Sequence, residues 1–369
     1  MHNWVEIDLS ALKRNYQRIR NLVKPGVSVA PVVKAEAYGH GMIKVAKALF
    51  QLKPEWLAVS KFSEAVILRD VGITTPILVL SGLLPDEYEE ALARNITPVV
   101  YTMEQLYLCE TAGKKRLMPF PVHIKIDTGM GRLGFREESL SELISKLKDS
   151  LWISPIGVMS HFADADDESS SFPLTQLARF RNFLNHMQSS LNRLPPYIHI
   201  ANSAGTVRYP ESHYTMVRPG LVLYGPTSFA EDFEPVMSLK ARILQVKKVP
   251  SGTPIGYGRS FVAPEPMVIA TVSIGYGDGY PRALSNKAKV LIQGKRCPVV
   301  GRVSMNLITV DVSHLSTFPR EGEEVVLLGY QGKEIISADE LASKVGTISY
   351  EIYCRIGSNP VKRYIETQE

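Results

Sequence analysis

Cysteine is scarce: Cys109, Cys297 and Cys354 are the only three in 369 residues. The number is odd and no pair has C-x-x-C spacing. That argues against a disulfide framework or a zinc knuckle and suits a reducing compartment. Long apolar runs are missing too; none approaches the roughly 20 residues needed to span a bilayer. The opening "MHNWVEIDLS" lacks the apolar core of a signal peptide, so a soluble, cytoplasmic protein without a membrane partner is expected. The formal net charge of +5 is spread along the chain, and no Lys/Arg run marks a nucleic-acid stripe. Internal repeats and low-complexity segments are absent as well.

What is present is an ordinary apolar share of 45%, enough for a sizeable core, in a chain whose length suggests two domains. Over the first two-thirds, short β-branched runs alternate with amphipathic stretches. The runs are "VSVAPVVK" ending at Lys34, "WLAVS" at Ser60, "PILVLS" at Ser81 and "TPVVY" at Tyr101. "VHIKID" at Asp127, "ISPIGVMSHF" around Ser160, "YIHIAN" at Asn202 and "YTMVR" at Arg218 follow. Between them lie helical patterns such as "SEAVILRDVG" and "LTQLARFRNFLNHMQSSL". Eight β-then-α units in about 225 residues fit an α/β chain folded as a (β/α)₈ TIM-type barrel. A doubly wound open sheet is the alternative, because the pattern does not prove closure. After about Pro226 the texture changes to strands with turn glycines. The expectation is a barrel over 1–228 and a mostly β C-terminal domain over 229–369, with one helix near "SADELASKVG". Residues 1–9 could pair with either.

Barrel enzymes build their sites from the loops that follow the strands, and phosphate groups often bind after strands seven and eight. Here those loops are "ANSAG" (Ala201 to Gly205) and "RPGLVLYG" (Arg218 to Gly225), whose small residues let backbone N–H groups approach an anion. Lys34 ends strand one on the same face. A lysine in a dry mouth near cations loses its proton more easily and becomes a nucleophile toward carbonyls. A Schiff-base lysine beside a phosphate site suits an aldolase of sugar phosphates or a bound pyridoxal phosphate (PLP); the pattern alone does not choose. Two other motifs carry less. "GMGRLG" (Gly129 to Gly134) matches G-x-G-x-x-G, but the next strand runs into His161 rather than into the acidic residue that a dinucleotide site needs. "HFADADD" (His161 to Asp167) has no second histidine at ligand spacing, so no metal is expected.

Eight motifs in order, "VVKAEAYGHG", "HIKIDTGMGRLGF", "SHFADAD", "HIANSAG", "VRPGLVLYG", "PIGYG", "SIGYGDGY" and "GRVSMN", resemble the alanine racemase family, PLP enzymes of the barrel-plus-β-domain type. The match runs from "WVEIDLSAL" to "SYEIYC". The resemblance implies that Lys34 carries PLP covalently and acts as one base, serving the D-enantiomer. Tyr257 would be the second base, serving the L-enantiomer and reaching the cofactor of a partner subunit across a head-to-tail homodimer. Two bases suit racemisation, since a proton leaves one face of Cα and another arrives on the opposite face. A free tyrosine, with a pKa of about 10, is poorly matched to that task, and nearby cations favour its phenolate. Arg132, His161 and Arg218 match family positions suited to such a network.

By the same resemblance Arg218 bonds to the pyridine nitrogen of PLP. A guanidinium does not give up its proton, so the ring nitrogen stays unprotonated, a weaker electron sink that disfavours transamination. Tyr38, Asn202, Ser203, Gly220, Leu221 and Tyr350 match the phosphate cradle and its support. Arg132 and Met305 match positions that hold the substrate carboxylate, and Lys125 matches a lysine that the family often carboxylates.

The chain departs from the family in three places. Glu36 stands where Asn is common; an extended backbone is assumed there, and little effect on the chemistry is expected. Asn306 stands where Asp is typical, removing a charge near the pocket. The tail "CRIGSNPVKRY", Cys354 to Tyr364, lacks the usual Arg-Val-Pro-Arg pattern. The leading expectation is L-/D-alanine interconversion supplying peptidoglycan. The alternatives are a broader amino-acid racemase, motivated by Asn306, and a non-catalytic PLP-binding protein. A barrel-fold decarboxylase suits the Arg218 contact poorly, because decarboxylation benefits from a protonated ring.

Overall fold

The computed structural model describes residues 1–359 and 361–366. Its first strand, β1 (Asn3–Asp8), is followed by a helix (Leu9–Leu22) whose first turn is capped by the Asp8 carboxylate accepting from the Ser10 and Ala11 N–H groups. The eight apolar runs then become eight short parallel strands. These are β2 (Ser28–Val29), β3 (Leu57–Val59), β4 (Ile77–Val79), β5 (Ile96–Val100), β6 (Phe120–Lys125), β7 (Ile153–Met159), β8 (Tyr197–His199) and β9 (Met216–Val217). Every residue of β3, β4 and β5 is buried. Strands covered on both faces read as unbroken apolar runs rather than as alternation, which is why they stand out in the sequence.

Strands β3 to β8 pair in chain order, each parallel to the next. The ring then closes. β2 pairs with β9 through Ser28↔Met216 and Val29↔Val217, and a bridge between Val32 and Ala58 joins it to β3. On the other side, Thr215 N–H donates to Ile198 O and Arg218 N–H to Ala201 O, joining β9 to β8. Closure excludes the doubly wound alternative.

The second unit is built on β10 (Met237–Val249), thirteen residues whose first half alternates between buried and half-buried positions, as a strand with one covered face does. It pairs antiparallel with β1 (Asn3↔Ala241), with Met267–Val272 and with Glu324–Gln331. β1 also pairs, in parallel, with Lys362–Ile365. The N-terminal strand therefore lies in the sheet of the second unit, and the chain crosses from there straight into a barrel helix. The expected helix is Ala338–Val345, capped by Ser337 and ended by Gly346 at φ +72°. A second helix, Ser349–Ile356, was not expected; it carries Tyr350 against Tyr38, ring centroids 5.7 Å apart. Pro360 of the atypical tail, and residues 367–369 of the second unit, lie outside the described residues. No helix among the described residues is long and apolar enough to cross a membrane.

Candidate active site

The residues after Lys34 do not continue as a strand. Ala35, Glu36, Ala37 and Tyr38 form a left-handed turn with φ of +52°, +54°, +53° and +54°. For non-glycine residues this conformation costs about 1–2 kcal/mol each, and such strain persists where surrounding contacts over-determine it. Glu64 supplies the main one: one carboxylate oxygen accepts from Ala35 N–H (2.7 Å), the other from Ser60 N–H (2.8 Å) and Lys61 N–H (3.0 Å). The sequence reading did not single out Glu64; its only sequence signal is its place at the start of a helix. The extended backbone assumed for Glu36 is corrected. Its carboxylate instead accepts from Met42 N–H (3.2 Å) at the start of the helix Met42–Phe50.

Lys34 is half-buried, and its pKa is lowered by burial, then by Arg132, against an upward pull from Glu64 and Cys354, with Arg218 lowering it further. Lys125, at the end of β6, is buried and is pushed down to about 8, by burial first and then by Arg218 and Arg132. His161 is held well below its usual range by burial and by Arg218, Lys125, Arg132 and Lys34. Arg218 is the hub of this group. Its Nη1 donates to His199 Nδ1 (2.6 Å); its Nη2 donates to Ser160 O (2.8 Å), His161 Nδ1 (3.0 Å) and Ile200 O (3.3 Å). Its Nε–H has no acceptor among the described residues.

The two loops expected to hold an anion meet beside it. Asn202 caps the turn Ser203–Arg208 by accepting from Gly205 N–H (2.9 Å), and Ser203 Oγ accepts from Gly220 N–H (2.9 Å), drawing the loops together. A Cβ on Gly220 would lie 2.4 Å from the Tyr38 hydroxyl, so only glycine leaves room for that ring. Among the described residues the N–H groups of Ser203, Ala204 and Leu221 have no acceptor. Burial raises the Tyr38 hydroxyl's pKa, and takes that of Tyr350 up to about 12, so both remain donors at neutral pH. Uncommitted amides, two tyrosine hydroxyls, a carbonyl-reactive lysine and a free guanidinium N–H fit the phosphate, aldehyde and ring nitrogen of PLP.

Lys34, Tyr38, Lys125, His161, Asn202, Ser203, Arg218, Gly220, Leu221 and Tyr350 thus converge. Arg132 lies at their edge, exposed, in the wall of a cavity of about 650 Å³ shared with Tyr101, Asp127, Arg136 and Arg179. Tyr257 and Met305 are not brought in. They stand 70% and 57% exposed on the second unit, and among the described residues no hydrogen bond or ring contact links either to the barrel mouth. The glycines of "GMGRLG" shape a loop around Asp127, whose Oδ1 accepts from Gly129 and Gly131 N–H. Among the described residues no group of three or more His, Cys, Asp or Glu is placed to hold a metal.

A closed barrel with a β-rich second unit and a cation-rich mouth defines an enzyme of the barrel-plus-β-domain class. Sequence models of the alanine racemase N-terminal and C-terminal domains match residues 7–228 and 236–364. The alanine racemase of Syntrophobacter fumaroxidans is 47% identical over 98% of this chain and 97% of its own. The structure of alanine racemase from Bartonella henselae with covalently bound pyridoxal phosphate is 31% identical with a TM-score of 0.90, covering 99% of this chain and 100% of that one. That of the Bacillus anthracis enzyme with bound L-Ala-P is 34% identical at 0.89, covering 99% and 95%. The chain belongs to the alanine racemase family, PLP-dependent isomerases.

The turn offers a direct test of its strain. Ala35→Gly is expected to stabilise the protein by about 0.5–1 kcal/mol, since relief of the left-handed penalty exceeds glycine's added freedom when unfolded. Denaturant titration measures it, and a destabilised variant would refute the strain.

Proposed function

We propose that this protein interconverts L-alanine and D-alanine, with PLP held at the barrel mouth and with Lys34 and Tyr257 as bases on opposite faces of the substrate. One observation carries the reading: a lysine with a loosened proton shares the mouth with an anion cradle of uncommitted amides. When bound, PLP supplies the electron sink that acidifies the Cα–H of an amino acid. Lys34 holds it and exchanges a proton at Nζ. The cradle of Ser203, Gly220 and Leu221, supported by Tyr38, Asn202 and Tyr350, binds its phosphate. Arg218, whose Nε–H is uncommitted among the described residues, would hold the ring nitrogen; a guanidinium keeps its proton, so that nitrogen would stay unprotonated and the sink moderate. His161 accepts from Arg218 and braces it.

Tyr257 exchanges the proton on the opposite face, at its hydroxyl. The exposure of Tyr257 and Met305, beside exposed Val262, Tyr276 and Leu307, supports a head-to-tail homodimer in which each copy completes the other's site. Arg132 and Met305 hold the substrate carboxylate. Carboxylation of Lys125 gives an anion that orients Arg132; its support is a buried amine with its pKa lowered to about 8, so that a fraction is neutral at physiological pH, and with no ion pair among the described residues. We take the domains as 1–228 and 229–369, with β1 contributing to the second, and place the enzyme in the cytoplasm, supplying D-alanine for peptidoglycan. Breadth of substrate is a second reading: Asn306, exposed on the second unit, donates to Asp278 (3.3 Å) and adds no charge of its own. Comparable turnover of alanine, serine and lysine enantiomers would favour it.

PLP-loaded protein incubated with L-alanine in D₂O is expected to yield D-alanine carrying deuterium at Cα, read by chiral analysis; absence of both product and exchange would sink the proposal. In the same assay Tyr257→Phe should retain PLP and lose about 10²–10⁴ in rate. Near-normal rates would remove Tyr257 from the mechanism. Carboxylation of Lys125 needs the neutral amine, which attacks CO₂ and releases a proton. The modified fraction should therefore fall as pH drops below about 8 and rise above it. Native mass spectrometry reads it as the gain of one CO₂, and a fraction independent of pH would argue against it.

A further inference from the structure

Beneath Arg218 the barrel core contains two fully buried imidazoles in series. His199 Nδ1 accepts from Arg218 Nη1 (2.6 Å), and His199 Nε2 lies 2.7 Å from His123 Nδ1. Neither ring has any exposed surface. The protons in this series have only one consistent arrangement. A guanidinium is a donor only, so His199 Nδ1 must be bare and its proton must sit on Nε2. That proton points at His123 Nδ1, which must be bare in turn, leaving the last proton on His123 Nε2. There it meets no acceptor: His123 Nε2 is a buried polar atom without a partner, as is Nε1 of neighbouring Trp56. Burial and the charge of Arg218 depress the pKa of both histidines, so neither gains a second proton at neutral pH.

A buried donor left unpaired is rare, and its presence asks for an explanation. The surrounding packing is built to keep it. His123 on β6 pairs with Gly157 on β7, and a Cβ at Gly157 would lie 2.2 Å from His123 Nδ1. Glycine there is what lets the imidazole reach His199. Trp56 packs edge-on against His123, centroids 5.1 Å apart, and Tyr197 stacks on it at 5.9 Å. An apolar residue would fill the same space and leave no donor unpaired at Nε2. It would, however, take away the acceptor that His199 Nε2–H has among the described residues.

We propose that His123 is a positioning residue for Arg218. By accepting from His199 it holds that ring in the one tautomer that presents a bare nitrogen to the guanidinium, and so keeps the Nε–H of Arg218 aimed at the cofactor ring. Without the acceptor, His199 can move its proton to Nδ1, where it faces the N–H of Arg218 and pushes the guanidinium aside. The consequence for the reaction rests on the PLP reading above; the tautomer chain itself does not.

The experiment is nitrogen NMR of holoenzyme labelled at histidine, with kinetics alongside. In the wild type, His123 and His199 should both be neutral and protonated at Nε2. A His199 proton on Nδ1, or a charged ring, would overturn the proposal without any variant. In His123→Leu the His199 signals should shift toward the other tautomer or broaden by exchange. PLP should stay bound with an altered absorbance, and kcat should fall about tenfold at little-changed KM. His123→Asn, whose amide oxygen takes the place of Nδ1, should restore the tautomer and rates within about twofold of wild type. Equal damage in both variants, or an unchanged His199 in the leucine variant, would reduce His123 to packing. If wild-type holoenzyme exchanges no Cα proton, the racemase reading fails, while the NMR result still decides the role of His123.

Discussion

Arg218 is a permanent positive charge buried at the hub of the barrel mouth, and among the described residues no carboxylate pairs with it. Such a group is expensive to bury unless its hydrogen bonds are satisfied. Here carbonyls of Ser160 and Ile200 and bare nitrogens of His161 and His199 accept from it. Its field then sets the chemistry around it. After burial, the larger cause, that field helps to loosen the protons of Lys34 and Lys125 and to keep both imidazoles neutral. A mouth so rich in cations is the electrostatic condition for an anionic cofactor and a carboxylate substrate.

The second determinant is mechanical. Lys34 is followed by a turn that four ordinary residues do not adopt by preference. It exists because Glu64 grips its first amide and the Glu36 carboxylate caps the helix beyond it. The second unit contributes Tyr350 from the other side, 5.7 Å from Tyr38, while Tyr224 of the barrel packs on Tyr38 at 4.9 Å. Both ends of the chain meet in that unit's sheet, as β1 and Lys362–Ile365. Lys34 at the barrel mouth and the wall beside it are thus parts of one covalent and hydrogen-bonded frame, with Tyr257 left exposed on the second unit.

Much of the fold was legible before any coordinate. The eight strand positions stood out because parallel strands buried on both faces must be apolar throughout. The helix at Ala338–Val345 announced itself by a capping serine and a terminal glycine. Less legible was Ser349–Ile356, "SYEIYCRI", whose β-branched and aromatic residues favour strand as much as helix; it forms because buried Ile352, Tyr353 and Ile356 pack inward. The extended backbone assumed for Glu36 failed for a related reason, since nothing in "KAEAY" marks a left-handed turn.

The motif residues of the site were legible as well, but their supports were not. His199 lay within a recognised strand, yet its partners Arg218 and His123 are 19 and 76 residues away. By itself the sequence determined where the strands fall along the chain, their apolar character and the lysine that follows the first barrel strand, because these follow from short-range pattern and side-chain chemistry. Tertiary structure alone decided barrel closure, the pairing of β1 with the second unit, the strained turn after Lys34 and the orientation of each proton beneath Arg218. Each of these is a sum over distant contacts and fields, and no local stretch of chain contains it.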